Sequence, residues 1–469
     1  MAAALNALLC VVSFVQPATI QFASALPRPP IDPGLLPLDG PPRSDQHMRQ
    51  SNECADTVAV SHPDIAEPAP GFTMLDIATA WRYSKGNGIA VGVIDTGVTP
   101  NSRLKVSAGG DYIMGGDGLV DCDAHGTIVA SIIGAAPRKP DSFNYADPLT
   151  QHAAFDGVAG VAPQATIVSI RQSSRAYEAS NPGPGDMEAR RKAGTVQTLA
   201  RAIVHAANLG VRVLNVSVAA CISAADPVDQ RAVGAAVWYA ATVKDVVVVA
   251  AAGNEGEDGC AQNPIGGPRL ESDPRDWQGV RTVSSPSVFS DYVLSVGAVD
   301  TTGVPIQKSL AGPWVRVGAP GTAITGLSPR TGLPGNAYPP QRPGEAALPM
   351  WGTSFAAAYV SGVAALIRAR YPELKAHEIV ERILQTAHNP ASGVDNRIGY
   401  GVIDPVSALT FAPLPIPQGA EMSRTRAIAP PTESPAPDRR ARNHALTLVA
   451  TVMAGLLIAA AINRARKAT

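Results

Sequence analysis

The sequence predicts an α/β fold in which a mostly parallel sheet is covered by helices on both faces, followed by one C-terminal transmembrane helix. Between about residues 71 and 409, short β-branched runs alternate with segments whose apolar residues repeat at helical spacing. That alternation is typical of βαβ units, which build parallel sheets. The chain has 469 residues, 45% of them hydrophobic, so it can bury one large core.

Five short runs are predicted to be buried strands because they are rich in β-branched residues. They are residues 89–94, 166–170, 211–218, 246–251 and 293–299. Residues 196–208, 230–243 and 355–370 are predicted to be helices from their apolar spacing or their composition. Because functional side chains of parallel sheets lie at the carboxyl ends of the strands, we expect a site in the loops that follow them.

The two ends of the chain carry predicted targeting and anchoring segments. Residues 2–15 are an apolar run too short to span a bilayer, and Ala23 and Ala25 supply a small-residue cleavage pattern. Residues 1–25 are therefore predicted to be a secretory signal peptide. Residues 445–462 are uncharged and would measure about 27 Å as a helix, against a hydrocarbon core of about 30 Å. We expect this segment to cross the membrane; a buried core helix is the alternative.

Further segments complete the predicted organisation. Residues 26–70 form a Pro-rich N-terminal extension without the periodicity of a separate domain, and residues 71–411 form the folded domain. Residues 412–444 are a Pro-rich linker with too little apolar surface to fold, and residues 463–469 are a short tail. The signal peptide then places the folded domain outside the cytoplasm and the tail inside it, with a single span in the cell membrane.

Two of the candidate site residues lie in the first half of the folded domain. Asp95, in an Asp-Thr-Gly motif, ends the first predicted strand. It suits a turn cap or half of an aspartic-protease pair, but the chain has no second such motif. His125 precedes an apolar helical run for which Asp123 is a predicted N-cap. A lone His at a helix start is more often structural than catalytic.

Two more candidates lie in the second half. Ser354 opens a small-residue helix, where a serine is normally a cap. The same position exposes a hydroxyl beside unpaired backbone N–H groups, which is what an oxyanion requires. Asn254 follows the strand at 246–251 and suits either a turn or a side-chain donor to developing negative charge.

Taken together, Asp95, His125, Asn254 and Ser354 stand in motifs and in an order that resemble those of the subtilisin-like (S8) serine proteases. The resemblance covers residues 71–410 and implies a subtilisin-like three-layer fold. A narrower resemblance is to the mycosins, the membrane-anchored subtilisin-like proteases of mycobacterial type VII secretion systems. It is carried by the signal peptide, residues 29–34, the loop at 121–127, and the Pro-rich linker with its membrane helix.

This resemblance implies that Ser354 attacks a peptide carbonyl, that His125 takes its proton, that Asp95 orients the imidazole, and that Asn254 binds the oxyanion. An extended substrate is expected to pair with two strand edges, at residues 171–174 and 217–219. The expected substrate-binding residues are Ser173, Ser217, Val218 and Ala219. Where subtilisins commonly carry Gly, this chain has Ala219, which predicts a smaller or more selective primary pocket.

Four cysteines remain after the signal peptide, and the residues alone allow three pairings. In the fold that the resemblance implies, the loops carrying Cys221 and Cys260 leave neighbouring strands on one side of the sheet. That fold therefore implies a bond between them and a second bond between Cys54 and Cys122. The extension is too short for the α/β propeptide found in many subtilisin-like proteases, so we expect a structural wrap that is not an inhibitor.

Two functions fit the sequence: an endopeptidase of narrow specificity, and a structural subunit that stabilises a membrane secretion complex. The expected partners are a peptide substrate, the type VII secretion membrane complex and the membrane. A formal net charge of -1 gives no support to nucleic-acid binding. No cofactor is expected, and no metal site, because the acidic residues near Asp121 and Asp123 are too few and suit capping.

Overall fold

The computed structural model describes residues 29–138, 156–181, 193–225, 227–257, 259–265, 273, 275–391, 393–411 and 440–466. The chain divides into two units, residues 1–413 and 414–469. The predicted signal peptide, residues 412–439 of the predicted linker and residues 467–469 of the predicted tail lie outside the described residues.

A seven-stranded sheet, with every neighbouring pair parallel, forms the centre of the first unit. The strands among the described residues are β1 Met48–Gln50, β2 Ala90–Asp95, β3 Val106–Asp111, β4 Thr166–Arg171, β5 Tyr177–Ala179, β6 Val213–Val216, β7 Ala220–Ser223, β8 Val247–Ala251, β9 Thr282–Ser285, β10 Val293–Val299, β11 Val315–Pro320, β12 Gly326–Leu327, β13 Pro334–Gly335, β14 Ala337–Tyr338 and β15 Leu348–Pro349. The order of strands in the seven-stranded sheet is β11, β10, β8, β6, β2, β4 and β3.

All five predicted strands are present, within two residues at each end. The sheet also contains two strands that were not predicted. The first, β3, is rich in glycine and serine, and the second, β11, contains an arginine and ends at a proline, so neither has the β-branched run on which the prediction relied. Both lie at the edges of the sheet, where such composition is tolerated.

The helices are α1 Pro70–Met74, α2 Ile77–Ala80, α3 His125–Gly134, α4 Val196–Asn208, α5 Arg231–Trp238, α6 Thr353–Arg370, α7 Ala376–Thr386, α8 Pro405–Thr410 and α9 Arg440–Arg466. The helix predicted at 230–243 is α5 continued by a π-helical turn, Tyr239–Val243. The N-cap of α4 is Thr195, whose hydroxyl accepts a hydrogen bond from the N–H of Thr198.

Helices cover both faces of the sheet because successive strand residues point to opposite sides. In β8, Val247 and Val249 pack in the core cluster that contains α3 and α6, whereas Val248 packs in the cluster that contains α4 and α5. The helix α6 is buried from Thr353 to Arg368, and its many alanines let it lie close to the sheet. These layers are the three-layer α/β fold that the resemblance implied.

The N-terminal extension lies along the folded domain and has no core of its own. Of residues 29–68, all of which are described, only Met48 is buried. The strand β1 pairs antiparallel with β5, and Asp39 contacts His205 and Asn208 of α4. The extension therefore depends on the domain for its structure.

The second unit contains the helix α9. Its 27 residues include the predicted span at 445–462 and extend it at both ends. Residues Thr447–Arg466 have a mean hydropathy of 1.8 and none of them is buried. Within the described ranges, this is the one helix long and apolar enough to cross a membrane.

Candidate active site

The carboxylate of Asp95 and the imidazole of His125 form the centre of the site. Asp95 is the last residue of β2 and is fully buried. Its Oδ1 accepts hydrogen bonds from the N–H of Thr96, at 2.7 Å, and from Nδ1 of His125, also at 2.7 Å. This contact fixes the His125 tautomer with its proton on Nδ1 and leaves Nε2 as the basic nitrogen.

His125 is the first residue of α3, and a left-handed residue precedes it. Ala124 is the N-cap, with φ of 61°, a conformation that costs a non-glycine residue about 1 to 2 kcal/mol. The prediction that Asp123 caps this helix is wrong. Its carboxylate instead accepts hydrogen bonds from the Ser174 hydroxyl, at 2.5 Å, and from the N–H of Arg175, at 2.6 Å. Asp123 therefore joins the His125 loop to the loop after β4.

Burial and charge act on the His125 ring in opposite directions. Burial lowers the pKa of His125, but the charge of Asp95 and its hydrogen bond more than offset this, so the pKa lies above its usual value. The ring also packs against the side chain of Phe355, with 5.2 Å between the ring centroids.

A second buried carboxylate, Asp121, lies close to this pair, and its role was not predicted from the sequence. Its Oδ1 accepts from the Thr96 hydroxyl at 2.8 Å, and its Oδ2 accepts from the N–H and the hydroxyl of Thr127 at 2.8 and 2.7 Å. Thr96 Oγ1 in turn accepts from the N–H of Gly126, at 2.9 Å. Burial raises the pKa of Asp121 to about 6. Asp121 thus ties the end of β2 to the start of α3.

Ser354 is the second residue of α6, which begins after Gly352. Its side-chain oxygen donates a hydrogen bond to the carbonyl of Ser217, at 3.0 Å. No hydrogen bond joins Ser354 to His125, both of which are among the described residues. Catalytic hydrogen bonds often form only in the substrate complex, and here the Ser354 hydroxyl has to turn from Ser217 toward His125.

Asn254 follows β8 and is held by the first residue of α6. Its Oδ1 accepts hydrogen bonds from the N–H and the hydroxyl of Thr353, both at 3.0 Å. This orients Nδ2, which donates one hydrogen to Glu257 at 3.2 Å and has a second hydrogen available. Glu257 also pairs with Arg175 of the loop after β4, at 3.5 Å.

These side chains line one cleft of about 930 Å³. The cleft is also lined by all four predicted substrate-binding residues, Ser173, Ser217, Val218 and Ala219. The predicted substrate edge at residues 171–174 is nevertheless closed by internal contacts. The N–H groups of Gln172 and Ser173 donate to the Asp95 carbonyl, at 2.8 and 3.2 Å, and Ser174 forms a β-bridge with Ala193.

Two disulfide bonds join the four cysteines among the described residues, with the same pairing that the resemblance implied. Cys54 bonds to Cys122, which ties the extension to the loop before His125. Cys221 bonds to Cys260, which ties β7 to the loop that carries Asn254. One bond therefore braces each wall of the cleft.

A serine, a histidine held by a buried carboxylate and an amide donor, on this three-layer fold, define a subtilisin-like serine endopeptidase. The sequence model of the subtilase family (Peptidase_S8) matches residues 86–401. Mycosin-2 of Mycobacterium tuberculosis (strain ATCC 25618 / H37Rv) is 50% identical over 100% of this chain and 98% of its own length. Mycosin-1 of the same organism is 45% identical over 93% of both chains. The chain therefore belongs to the subtilase family and, within it, to the mycosins.

Solved structures show the same relationship. One described as "Structure of a serine protease MycP1, an essential component of the type VII (ESX-1) secretion system" has a TM-score of 0.74 and 44% identity, covering 82% of this chain and 99% of its own. A chain of the "intact ESX-5 inner membrane complex" has a TM-score of 0.76 and 46% identity, covering 93% of this chain and 99% of its own.

Proposed function

We propose that this chain is an exported, membrane-anchored serine endopeptidase that acts in a type VII secretion complex, with Ser354, His125 and Asp95 as its catalytic triad. The observation that carries the proposal is the 2.7 Å contact between His125 and Asp95 in the cleft that also contains Ser354. The similarity to the MycP1 protease and to a chain of the ESX-5 inner membrane complex supports the proposed location in a secretion complex.

The reaction begins when Oγ of Ser354 attacks a peptide carbonyl and Nε2 of His125 takes its proton. Asp95, bonded to Nδ1, stabilises the imidazolium that forms. His125 then returns the proton to the leaving amine, which breaks the peptide bond and leaves an acyl-enzyme on Ser354. Water, deprotonated by the same imidazole, releases the acyl group and restores the serine.

The negative charge that develops on the carbonyl oxygen meets two donors. One is the second Nδ2 hydrogen of Asn254, whose orientation Thr353 fixes. The other is the N–H of Ser354, which has no partner within the helix because it lies in the first turn of α6. Both are in place before the reaction, so their orientation costs nothing in the transition state.

The substrate lies extended along residues 217–219, with Ser173, Ser217, Val218 and Ala219 as the binding residues. Val218 and Ala219 form no backbone hydrogen bond with any other described residue, so this edge can accept a peptide strand. The methyl group of Ala219 narrows the primary pocket, which favours substrates with small side chains next to the scissile bond.

The organisation of the chain follows the same proposal. Residues 1–25 are a signal peptide, 26–70 a wrapping extension, 71–411 the peptidase domain, 412–444 a linker, 445–462 the membrane span and 463–469 a cytoplasmic tail. The apolar, unburied helix at Thr447–Arg466 supports the span. The predicted signal peptide favours an extracytoplasmic peptidase domain.

A second function, as a structural subunit of the secretion complex, is favoured by the match to a chain of the ESX-5 inner membrane complex over 93% of this chain. The two functions are compatible. The test complements a deletion strain with one of two variants, Ser354→Ala or a chain that lacks residues 443–469. If the first restores secretion and the second does not, secretion requires the structural role and not proteolysis.

The peptidase is tested by a fluorophosphonate probe on the full-length protein in detergent. We expect the wild type to be labelled and Ser354→Ala to be unlabelled. Ser361→Ala is the matched control, because Ser361 is a buried serine of the same helix that bonds to Asn215 and lies outside the cleft lining. Equal labelling of wild type and Ser354→Ala would refute the assignment of the nucleophile.

A further inference from the structure

The N-terminal extension is part of the wall of the active-site cleft. Five consecutive extension residues line the cleft beside the catalytic side chains: Asn52, Glu53, Cys54, Ala55 and Asp56. Their position is fixed on both sides of Glu53. The disulfide between Cys54 and Cys122 holds one side, together with a hydrogen bond from the Ala55 N–H to the Cys122 carbonyl at 2.9 Å.

The other side of Glu53 is held by residues 175–176, which precede β5. The amide of Asn52 donates to the carbonyl of Arg175, at 2.9 Å. The N–H groups of Ser51 and Asn52 both donate to the carbonyl of Ala176, at 2.8 and 3.2 Å. These bonds continue the pairing of β1 with β5 and fix the extension next to Ser174. A substrate on that side of the cleft therefore meets extension side chains.

The charge of the cleft is acidic. Its lining includes five carboxylates and, besides His125, two cations. The carboxylates are those of Glu53, Asp56, Asp95, Asp123 and Glu257, and the cations are Arg175 and Arg330. Arg330 pairs with Asp56 at 2.6 Å and Arg175 with Glu257 at 3.5 Å, whereas Asp95 bonds to His125. Asp123 accepts two hydrogen bonds from the loop after β4.

Glu53 is the one carboxylate of this set that forms no ion pair or hydrogen bond with another described residue. It is exposed and lines the cleft, and its neighbours Asn52 and Cys54 are both anchored, so its backbone is held beside the cleft. A carboxylate held at a cleft by an anchored backbone attracts a cationic group of a bound peptide.

We propose that the extension is a permanent wall of the substrate cleft and that Glu53 is a specificity-determining residue that selects peptides with a Lys or Arg side chain on that side. The inference rests on the proposed peptidase function. It assigns to the extension a role in substrate recognition in addition to its role as a wrap.

The test is a cleavage profile. Full-length wild type, Glu53→Gln and Glu53→Lys are incubated with a proteome-derived peptide library, and the residues around each cleaved bond are read by mass spectrometry. We expect Lys and Arg to be enriched about two- to fivefold at one position for wild type, which is the range that partly exposed ion pairs give. Glu53→Gln should lose this enrichment, and Glu53→Lys should replace it by enrichment of Asp and Glu.

Glu67→Gln is the matched control, because Glu67 is an exposed acid of the same extension that lies outside the cleft lining. Its profile should equal that of wild type. A wild-type profile without basic enrichment, or a Glu53→Gln profile equal to wild type, overturns the inference. Labelling by the fluorophosphonate probe distinguishes failure of this inference from failure of the proposed function. If wild type is not labelled and cleaves no peptide, the proposed peptidase function is refuted, and the inference about Glu53 is refuted with it.

Discussion

Replacement of Gly126 by Ala should disable the site while leaving the fold in place. A Cβ atom at this position would lie 2.0 Å from the carbonyl oxygen of Gly97 and 3.2 Å from Cβ of Asp95. The Gly97 oxygen belongs to the backbone, so no side-chain rotation can relieve this clash. Gly126 directly follows His125, and Gly97 lies two residues after Asp95, so the movement falls on the segments that carry both proposed catalytic side chains.

The size of the effect follows from these distances. Real Cβ atoms essentially never approach another heavy atom closer than 3.0 Å, so the start of α3 and the turn at Gly97 have to separate by about 1 Å. A misplacement of about 1 Å costs on the order of a hundredfold in rate, which is about 2.7 kcal/mol of activation free energy. Overpacking should also lower the free energy of unfolding by about 1 to 3 kcal/mol, which a large domain tolerates.

The assay is kcat/KM on a cleaved peptide together with the rate of fluorophosphonate labelling and the thermal midpoint. Gly134→Ala is the control on the same helix, since its Cβ would come nearest to the end of the Ile167 side chain, at 3.3 Å, and would lie at an ordinary contact distance of 3.7 Å from the Ala162 carbonyl oxygen. We expect a decrease of about a hundredfold for Gly126→Ala and less than about threefold for Gly134→Ala. A folded Gly126→Ala enzyme with kcat/KM within threefold of wild type would refute the argument from close packing.

Other side chains give further expectations. Asn254→Ala should lower kcat by about 10² to 10³ with little change in KM, and an unchanged kcat would remove Asn254 from the oxyanion site. Because the pKa of His125 is raised and the base must be neutral, kcat/KM should fall with decreasing pH through an apparent pKa above 6.5. Asp95→Asn should lower kcat by about 10⁴ and move that acidic limb to lower pH; an unmoved limb would contradict the pairing. The double variant Cys54→Ser, Cys122→Ser should lose at most about 4 kcal/mol of unfolding free energy, measured by chemical denaturation, since the bond closes a loop with a sequence separation of 68.

Much of the sheet could be predicted because central parallel strands are buried on both faces and so consist of near-continuous β-branched runs. The strand Val293–Val299 and the helix Val196–Asn208 have the predicted bounds. The prediction of strands failed where a strand does not consist of β-branched residues. The strand Val106–Asp111 contains two glycines and lies at a sheet edge, so its pairing with Thr166–Arg171 left no pattern in the sequence.

The proposed catalytic residues could be selected from the sequence because each lies in a local motif at the end of a strand or the start of a helix. What could not be predicted were their partners from distant segments. Asp123 suited a helix cap locally, but Ser174 and Arg175 take its carboxylate. The Ser354 hydroxyl likewise donates a hydrogen bond to the Ser217 carbonyl. The two residues are 137 positions apart in the sequence, so no local pattern could predict this contact.

The two disulfide bonds lie in the loops around the cleft, where local opening costs the least free energy. The core is large, and its central strands and α6 are buried, so they need no covalent reinforcement. The cleft is built from loops, which open locally at much lower free energy than core elements do. Cys54–Cys122 and Cys221–Cys260 each close one of these loops to a second segment. Their main consequence is therefore the geometry of the two cleft walls, so reducing them should lower activity before it unfolds the domain.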